Sequence, residues 1–271
     1  MVKICFALGA GGARGVAHVG FLQAMEENGI KPDFIAGCSM GSVVGACYAS
    51  GMKPNEMMEV VDDLKLLQLL DASFFPFNKK SFLKSSKIKK MLEELLGDKT
   101  FADLDIPFEC IAGDIVSGEV AVLREGNVAE AVRASSAIPM VFSPVEVGDK
   151  VLVDGGIYMP IPLICVKDFH ADVVIAVDVL GPLPEYKRDK GLINHVLRSI
   201  DANSAYLRRR QLKRYRHDLL VCPRLGDMSQ FKIENLRFAY EEGYKAGIAN
   251  VDKIKKIIEK KQSEKLMHSN R

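Results

Sequence analysis

The 271-residue sequence contains no long hydrophobic run, and this absence limits the classes of protein to which it can belong. No stretch of about 18 consecutive apolar residues occurs, so no transmembrane helix is predicted. The formal net charge of +2 gives no reason to expect a nucleic acid as a partner. Internal repeats and low-complexity linkers are also absent. We therefore expect one domain over residues 1–271, with about the last 15 residues forming a helical tail that frays.

The sequence also lacks the short motifs that mark metal and redox sites. No H-E-x-x-H motif or similar ligand cluster is present, so neither a metal nor another cofactor is expected. The six cysteines are scattered and form no C-x-x-C motif, which is typical of reduced, buried thiols in a cytoplasmic protein. Near the N-terminus a short apolar run breaks into glycines and Arg14, which indicates a first β-strand and not a signal peptide.

Two nucleotide-binding patterns fail at the glycine-rich segment Gly9–Gly15. A G-x-G-x-x-G motif that starts at Gly9 requires glycine at position 14, where the chain has Arg14. The P-loop pattern fails because no Gly-Lys-Ser/Thr follows. Asp33 lies roughly where dinucleotide-binding folds place a ribose-binding acid. A nucleotide- or phosphate-binding regulatory module that uses this segment therefore stays open as an alternative.

Hydrophobic periodicity predicts alternating strands and helices at the start of the chain. A continuous apolar run predicts a buried strand at Ile4–Leu8, and apolar spacing predicts a helix at Gly15–Asn28. A second strand at Phe34–Gly37 and a second helix at Ser42–Ser50 follow. This β-α-β-α order predicts an α/β fold with a mostly parallel sheet and helical crossovers.

The same patterns predict further elements along the rest of the chain. Strands are predicted at Phe108–Ile115, Glu119–Leu123 and Ala171–Leu180, and a β-hairpin at Val145–Gly156. Helices are predicted at Pro54–Leu70, Lys87–Leu96 and Asn127–Ala134. The C-terminal third, from about Leu192, is expected to be mostly helical.

A serine stands between two glycines where the second strand passes into the second helix. The residues Gly37-x-Ser39-x-Gly41 match the G-x-S-x-G pattern of a nucleophile turn, which requires a strand before it and a helix after it. Glycines fit the flanking positions because a sharp turn leaves no room for side chains. Ser39 is therefore a candidate nucleophile, and a glycine-rich turn with a capping serine is the alternative.

A serine hydroxyl needs a base to become a good nucleophile. The five histidines lie at positions 18, 170, 195, 217 and 268, and none has an evident catalytic setting. Asp154 stands at the end of an apolar strand and is followed by Gly155 and Gly156, which leave space beside its carboxylate. Strand ends of parallel sheets are where reacting groups gather, so Asp154 is the candidate base. An ordinary Asp-Gly-Gly turn is the alternative.

The segment Leu8–Gly15 lies between the first strand and the first helix. Its backbone N–H groups are suited to bind a phosphate or to stabilise the oxyanion of an acyl-transfer intermediate. Arg14 either stabilises charge near the site or anchors the loop.

Taken in order, these motifs resemble the patatin-like phospholipase family, in particular its compact bacterial members. The similar segments are GAGGARG with the following HVG, GCSMG, ASSAIP at Ala134–Pro139, DGG, and EEGYKAG at Glu241–Gly247. The resemblance implies a three-layer α/β/α fold and hydrolysis of acyl esters of lipids without a cofactor. It further implies Ser39 as nucleophile, Asp154 as proton acceptor, and an oxyanion loop formed by Gly11, Gly12, Ala13 and Arg14. Transfer of the acyl group to an acceptor other than water stays open.

A basic run, YLRRRQLKRYRH, occupies Tyr206–His217 and contains no acidic residue. Interleaved leucines give this run an amphipathic character, and basic amphipathic helices adsorb to anionic bilayers. Peripheral contact of a cytoplasmic protein with an anionic membrane through Arg208–Arg216 is one interpretation. A solvated helix face is the other.

Overall fold

The computed structural model of the protein describes residues 1–62, 80–139, 141–183, 185 and 191–269. Within these ranges the strands are β1 (Ile4–Leu8), β2 (Phe34–Cys38), β3 (Phe108–Asp114), β4 (Val120–Leu123), β5 (Val145–Val147), β6 (Lys150–Asp154), β7 (Val173–Val177) and β8 (Leu219–Val221). The helices are α1 (Val16–Glu27), α2 (Met40–Ala49), α3 (Pro54–Asp62), α4 (Lys80–Leu96), α5 (Val128–Ser135), α6 (Val166–Phe169), α7 (Leu192–Arg214) and α8 (Leu236–Ser269). Short 3-10 turns lie at Gly12–Gly15, Phe101–Asp103 and Gly155–Ile157.

The described strands form a single eight-stranded sheet in the order β5-β6-β3-β2-β1-β7-β8, and β4 also pairs with β3. Within that order, the five strands β3, β2, β1, β7 and β8 run parallel to one another. Strands β4, β5 and β6 join antiparallel at one side. The expected α/β class with a mostly parallel central sheet is confirmed.

Strand β1 lies in the middle of the sheet and is buried along its whole length. Its alternate side chains serve two cores, as the two-residue period of a strand requires. Ile4, Phe6 and Leu8 pack among helices on one face. Cys5 and Ala7 pack against the segment around Ile161 on the other face. The continuous apolar run is thus explained by layers that cover both faces of the sheet.

Helices α1 and α8 pack against each other at very short backbone separation. A Cβ atom placed on Gly243 would lie 1.9 Å from the carbonyl oxygen of Ala17, and one placed on Gly20 would lie 2.0 Å from that of Tyr240. Only glycine is tolerated at such contacts without displacement of a helix. The HVG and EEGYKAG segments therefore meet each other, although more than two hundred residues separate them in the chain.

Several sequence expectations are corrected by the structure. A short strand, Leu219–Val221, lies in the region that was expected to be mostly helical, and it extends the sheet beyond β7. Helix α4 begins at Lys80, seven residues before the predicted start. Helix α8 extends to Ser269, and fraying of about the last 15 residues stays a prediction. Residues 63–70 of the helix predicted from Pro54 lie outside the described residues, and the assignment of one domain stays a prediction.

The structure also tests the prediction of buried thiols and the prediction of no transmembrane helix. All six thiols are free; five are buried, but Cys222 is exposed, contrary to the expectation that all would be buried. Among the described helices, none combines the length and the apolar character that crossing a bilayer would require.

Candidate functional site

Ser39 sits at the junction between β2 and α2 with an unusual backbone conformation. Its φ of 52° and ψ of −124° place a non-glycine residue in a region that L-amino acids rarely adopt. The Ser39 N–H donates to Ser135 Oγ at 3.0 Å, and its carbonyl accepts a hydrogen bond from Ser42 Oγ at 2.6 Å. These contacts hold the strained turn in place.

The glycines on either side of Ser39 are required by close backbone contacts. A Cβ atom on Gly41 would lie 2.2 Å from the carbonyl oxygen of Leu8, and one on Gly37 would lie 2.5 Å from Ser42 Cα. A side chain at either position would push α2 away from the sheet. The G-x-S-x-G spacing therefore follows from how tightly the helix start approaches β1.

Asp154 ends strand β6 and faces the Ser39 hydroxyl. Ser39 Oγ donates to Asp154 Oδ2 at 2.6 Å, and the N–H of Gly156 donates to Asp154 Oδ1 at 2.7 Å. The carboxylate is buried, and burial raises its pKa to about 6, although both hydrogen bonds act to lower it. A Cβ atom on Gly155 would lie 2.5 Å from the carbonyl oxygen of Ile111, so the turn after Asp154 also needs glycine. The geometry thus gives the serine a buried acceptor that is ionised at neutral pH.

In the described part of the chain, no histidine side chain is hydrogen-bonded to Ser39 or Asp154. His18 Nε2 instead donates to the carbonyl of Gly9 at 2.8 Å. Burial lowers the His18 pKa to about 4, so this imidazole is neutral and tethers the start of the glycine-rich loop. His217 Nδ1 lies 3.2 Å from the carbonyl oxygen of Tyr215, away from the serine.

The glycine-rich loop forms one 3-10 turn that leads into α1, and two of its amides are already bonded. The Ala13 N–H donates to the carbonyl of Gln230 at 2.9 Å, and the Arg14 N–H donates to the carbonyl of Gly11 at 3.0 Å. For the N–H groups of Gly11 and Gly12, the structure places no acceptor among the described residues. Of the four residues expected to form the oxyanion loop, Ala13 and Arg14 thus have amides that are already bonded, and the oxyanion role of the loop stays a prediction.

This bonding also argues against the nucleotide-binding alternative. The Gly9 N–H donates to the carbonyl of Val177 and the Ala10 N–H donates to that of Pro160. Together with Ala13 and Arg14, four amides of the loop are committed to the protein's own carbonyls. Of the amides from Gly9 to Arg14, only those of Gly11 and Gly12 have no acceptor among the described residues and could bind a phosphate.

Ser39, Asp154, Gly11 and Gly12 line one small cavity of about 60 Å³. The remainder of its wall is largely apolar and includes Ile138, Pro139, Ile157, Ile200 and Phe231.

Sequence reasoning missed the contributions from Gln230 and Phe231, because their loop has neither periodicity nor a motif. It also did not identify Ser135, although that residue lies in the ASSAIP segment. Among the described residues, no group of three or more His, Cys, Asp or Glu is arranged to hold a metal ion.

The basic run Tyr206–His217, most of which lies in α7, does not form one exposed face, and two of its arginines have structural contacts. Arg208 is buried and its Nη1 donates to Asp178 Oδ2 at 2.5 Å. Arg216 donates to the carbonyls of Ala171 and Asp172. Arg208 is therefore too buried to contact a membrane surface, and peripheral contact through the rest of Arg208–Arg216 stays a prediction. The exposed cations of the helix are Arg209, Arg210, Lys213 and Arg214.

The fold and the site together define an α/β protein with a serine held on a strand-to-helix turn against a buried aspartate. Residues 6–164, more than half of the chain, match the family described as Patatin-like phospholipase. The chain belongs to this family.

Individual relatives agree with that assignment. A Mycobacterium tuberculosis protein described as an uncharacterized NTE family protein is 37% identical over 182 residues, which cover 66% of this chain and 49% of that protein. The mouse (Mus musculus) patatin-like phospholipase domain-containing protein 6 is 30% identical over 184 residues, covering 65% of this chain and 13% of the relative. The chain thus spans about half, or less, of the length of these curated relatives.

Among solved structures, VipD from Legionella pneumophila shares the fold. The two chains align with a TM-score of 0.57 and 14% sequence identity, covering 93% of this chain and 67% of VipD. At this identity the likeness concerns the fold alone.

Proposed function

We propose that this chain is a serine acyl hydrolase that cleaves carboxylic ester bonds of lipids through a dyad of Ser39 and Asp154. The observation that carries the proposal is the 2.6 Å hydrogen bond from Ser39 Oγ to Asp154 Oδ2 at a strained strand-to-helix turn. Membership of the patatin-like phospholipase family supports a lipid as substrate. The apolar wall of the cavity beside the dyad is suited to an acyl ester.

In the first step, Ser39 Oγ attacks the ester carbonyl while Asp154 accepts the hydroxyl proton. A base is most effective when its pKa lies near the working pH, and burial brings the pKa of Asp154 to about 6. The second carboxylate oxygen stays bonded to the Gly156 N–H, so the side chain keeps its orientation during the transfer.

The tetrahedral intermediate carries a negative charge that needs nearby donors. Gly11 and Gly12 border the same cavity as Ser39, and their N–H groups are the proposed donors; each well-placed donor contributes about 3 kcal/mol to such an intermediate. As the intermediate collapses, Asp154 returns the proton to the departing oxygen, so the alcohol or lysolipid leaves and an acyl-serine remains. Asp154 then activates a water molecule that hydrolyses this ester. An acyltransferase would use the same acyl-serine with a different acceptor.

Labelling with a fluorophosphonate probe tests the nucleophile directly. We expect the Ser39→Ala variant to lose both labelling and ester hydrolysis by at least a hundredfold while it stays folded, because only the attacking oxygen is removed. Ser50→Ala, at the other end of the same helix, is the matched control and should label like the unaltered protein. Full labelling of Ser39→Ala would overturn the assignment.

We further propose that the protein is cytoplasmic and contacts anionic membranes peripherally through the exposed cations of α7. Four exposed cations, Arg209, Arg210, Lys213 and Arg214, lie on that helix, whereas Arg208 pairs with Asp178 and Arg216, beyond the helix end, donates to the carbonyl of Ala171. Such cations attract anionic lipid surfaces without entering the chemistry at Ser39.

A further inference from the structure

Gln230 joins three segments that lie far apart in the chain. It belongs to the connection between β8 and α8, which contains neither helix nor strand over residues 222–235. Its backbone carbonyl faces the glycine-rich segment Gly9–Gly15, and its side chain reaches Asp201 on α7. Gln230 also lines the cavity that contains the dyad. In the described part of the chain, no hydrogen bond joins its side chain to Ser39 or Asp154, so it acts on neither directly.

The carbonyl of Gln230 fits closely against the glycine-rich loop at Gly12 and Ala13. The Ala13 N–H donates to this carbonyl at 2.9 Å. A Cβ atom on Gly12 would lie 2.2 Å from the same oxygen, and the φ of Gly12 is 51°, a left-handed conformation that favours glycine. One oxygen atom therefore holds the peptide that links these two loop residues.

The glycine-rich loop is held at two ends, and the amides proposed to bind the oxyanion lie between them. At the β1 end, the amides of Gly9 and Ala10 donate to carbonyls of neighbouring segments at 3.0 and 2.8 Å. At the other end, the acceptor is the carbonyl of Gln230. The amides of Gly11 and Gly12, between these anchor points, have no acceptor among the described residues. A shift of the Gln230 carbonyl would therefore move these two amides relative to the nucleophile.

The side chain of Gln230 limits where its carbonyl can lie. Its Nε2 donates to Asp201 Oδ1 at 2.5 Å. Asp201 lies on α7, about two turns before Arg208, and the buried ion pair of Arg208 with Asp178 fixes the helix beside the end of β7. Because the far end of the Gln230 side chain is bonded to this fixed helix, rotation of its backbone is restricted. Without that bond, a connection that lacks helix and strand would hold the carbonyl alone.

We propose that Gln230 is a positioning residue for the reaction at Ser39. Its bond to Asp201 holds its carbonyl against the glycine-rich loop, and the loop in turn aims the amides of Gly11 and Gly12 at the oxyanion. The assignment rests on the proposed hydrolase function. The oxyanion exists only in the tetrahedral intermediate, so loss of this support should lower kcat and leave KM nearly unchanged. A misplacement of about 1 Å is enough to slow a reaction by about a hundredfold, so the effect is measurable.

Gln230→Met removes the bond to Asp201 and keeps the length of the side chain. For a soluble p-nitrophenyl ester, we expect kcat to fall about tenfold and KM to stay within about twofold, because the variant loses a support for the donors and not a contact with the substrate. Gln23→Met is the matched control, since it breaks a similar bond of 2.7 Å from Gln23 Nε2 to Glu27 Oε1 on α1, and it should keep the kcat of the unaltered protein. An unchanged kcat for Gln230→Met, a rise in KM alone, or equal losses for the two variants would overturn the proposal.

Exchange of the donor and the acceptor provides a rescue that a simple loss of packing would not show. At pH 8, Gln230→Glu places two carboxylates together, and their repulsion should lower kcat at least tenfold. Addition of Asp201→Asn to that variant restores an amide donor opposite a carboxylate, with the direction of the bond reversed. The kcat should then return to within about threefold of that of the unaltered protein. If the second substitution restores nothing, the loss comes from charge or shape in the cavity wall, and the proposal is wrong.

A mimic of the tetrahedral intermediate separates positioning from general destabilisation. A trifluoromethyl ketone forms an adduct with the serine whose oxyanion uses the same donors, so its inhibition constant should weaken for Gln230→Met by the same factor as kcat/KM. Labelling to completion with a fluorophosphonate counts the active molecules. Fewer active molecules with an unchanged inhibition constant would indicate lost folding and would refute the positioning role.

Hydrogen exchange tests the contact with the loop independently of activity. If the unaltered protein neither cleaves an ester nor takes up the fluorophosphonate, the hydrolase proposal fails. Faster exchange of the Ala13 amide in Gln230→Met than in Gln23→Met would still support the hold of Gln230 on the loop, and equal exchange in the two variants would refute it.

Discussion

Ser39 and Asp154 both carry a local free-energy cost in the folded protein. A non-glycine residue in a sparsely populated backbone region costs about 1–3 kcal/mol, and Ser39 has a φ of 52°. Asp154 is ionised in a buried position, and its pKa of about 6 reports the loss of hydration. Favourable contacts around the two residues offset the backbone strain and the desolvation, a pattern that is typical of residues with a chemical role.

The pKa of Asp154 predicts how the activity depends on pH. The carboxylate must be ionised to accept a proton, so kcat/KM for a soluble ester should rise through about pH 6 and level off above it. Asp154→Asn should lose at least a hundredfold in kcat/KM, because an amide keeps the shape but is no base. Asp149→Asn, in the turn of the same hairpin, serves as the control with normal activity. A flat profile from pH 5 to 7 would contradict this role.

The same pKa predicts that Asp154 lowers stability at neutral pH. The carboxyl titrates near 3.8 when exposed and at about 6 in the folded protein, so between these values the folded state binds more protons and stability falls as the pH rises. At pH 7 the cost is up to about 3 kcal/mol. Asp154→Asn should therefore be more stable than the unaltered protein at pH 7, as measured by urea unfolding. The advantage should disappear below about pH 4; an advantage that persists there would contradict desolvation as its cause.

At the scale of elements, the contact between α1 and α8 depends on glycines that allow the helices to touch. A methyl group on Gly243 would overlap the carbonyl oxygen of Ala17. Because α1 leads directly out of the glycine-rich loop, the position of α8 also determines where that loop lies. A contact far from Ser39 in the chain thus supports the loop whose Gly11 and Gly12 amides are proposed to stabilise the oxyanion.

Substitution of Gly243 measures that support. Gly243→Ala should destabilise the protein by about 2 kcal/mol, because the overpacking cost exceeds the gain in helix propensity. The urea midpoint is the measurement, and exposed Glu241→Ala on the same helix is the control. Equal stability of Gly243→Ala and the unaltered protein would show that the helices can separate without cost.

At the scale of the whole molecule, the exposed cations of α7 are predicted to control adsorption to anionic membranes and not the reaction at Ser39. Reversal of Arg209 and Lys213 to Glu should weaken binding to anionic vesicles by at least tenfold, since each cation contributes on the order of 1 kcal/mol near such a surface. Turnover of a small soluble ester should be unchanged, and raised salt should weaken vesicle binding of the unaltered protein in the same way.

Vesicle co-sedimentation and the soluble-ester assay check this prediction. Replacement of Lys253 and Lys256 on α8 by Glu changes the net charge by the same amount as the α7 variant and should leave vesicle binding nearly intact. Unchanged sedimentation of the α7 variant at low salt would show that its cations are only a solvated face.

Much of this architecture is predictable from sequence where the signal is local. The alternation of apolar runs and helical periodicity predicted the parallel sheet, and motifs at strand ends pointed to Ser39 and Asp154, which the structure brings together. Strand Leu219–Val221 escaped prediction because three residues are too short to show a period. The burial of Arg208 depends on Asp178, a partner from another element, so a basic run alone could not reveal it.

The central place of β1 has a consequence for the time course of synthesis. One neighbour of β1, strand β2, leaves the ribosome soon afterwards, but the other, β7, begins only at Val173. At typical translation speeds that delay is on the order of ten to thirty seconds. During this time one edge of an apolar strand has no partner and is exposed to pairing with other nascent chains. Strand β1 therefore gains both of its neighbours only after β7 has been synthesised, and its exposed edge favours aggregation until then.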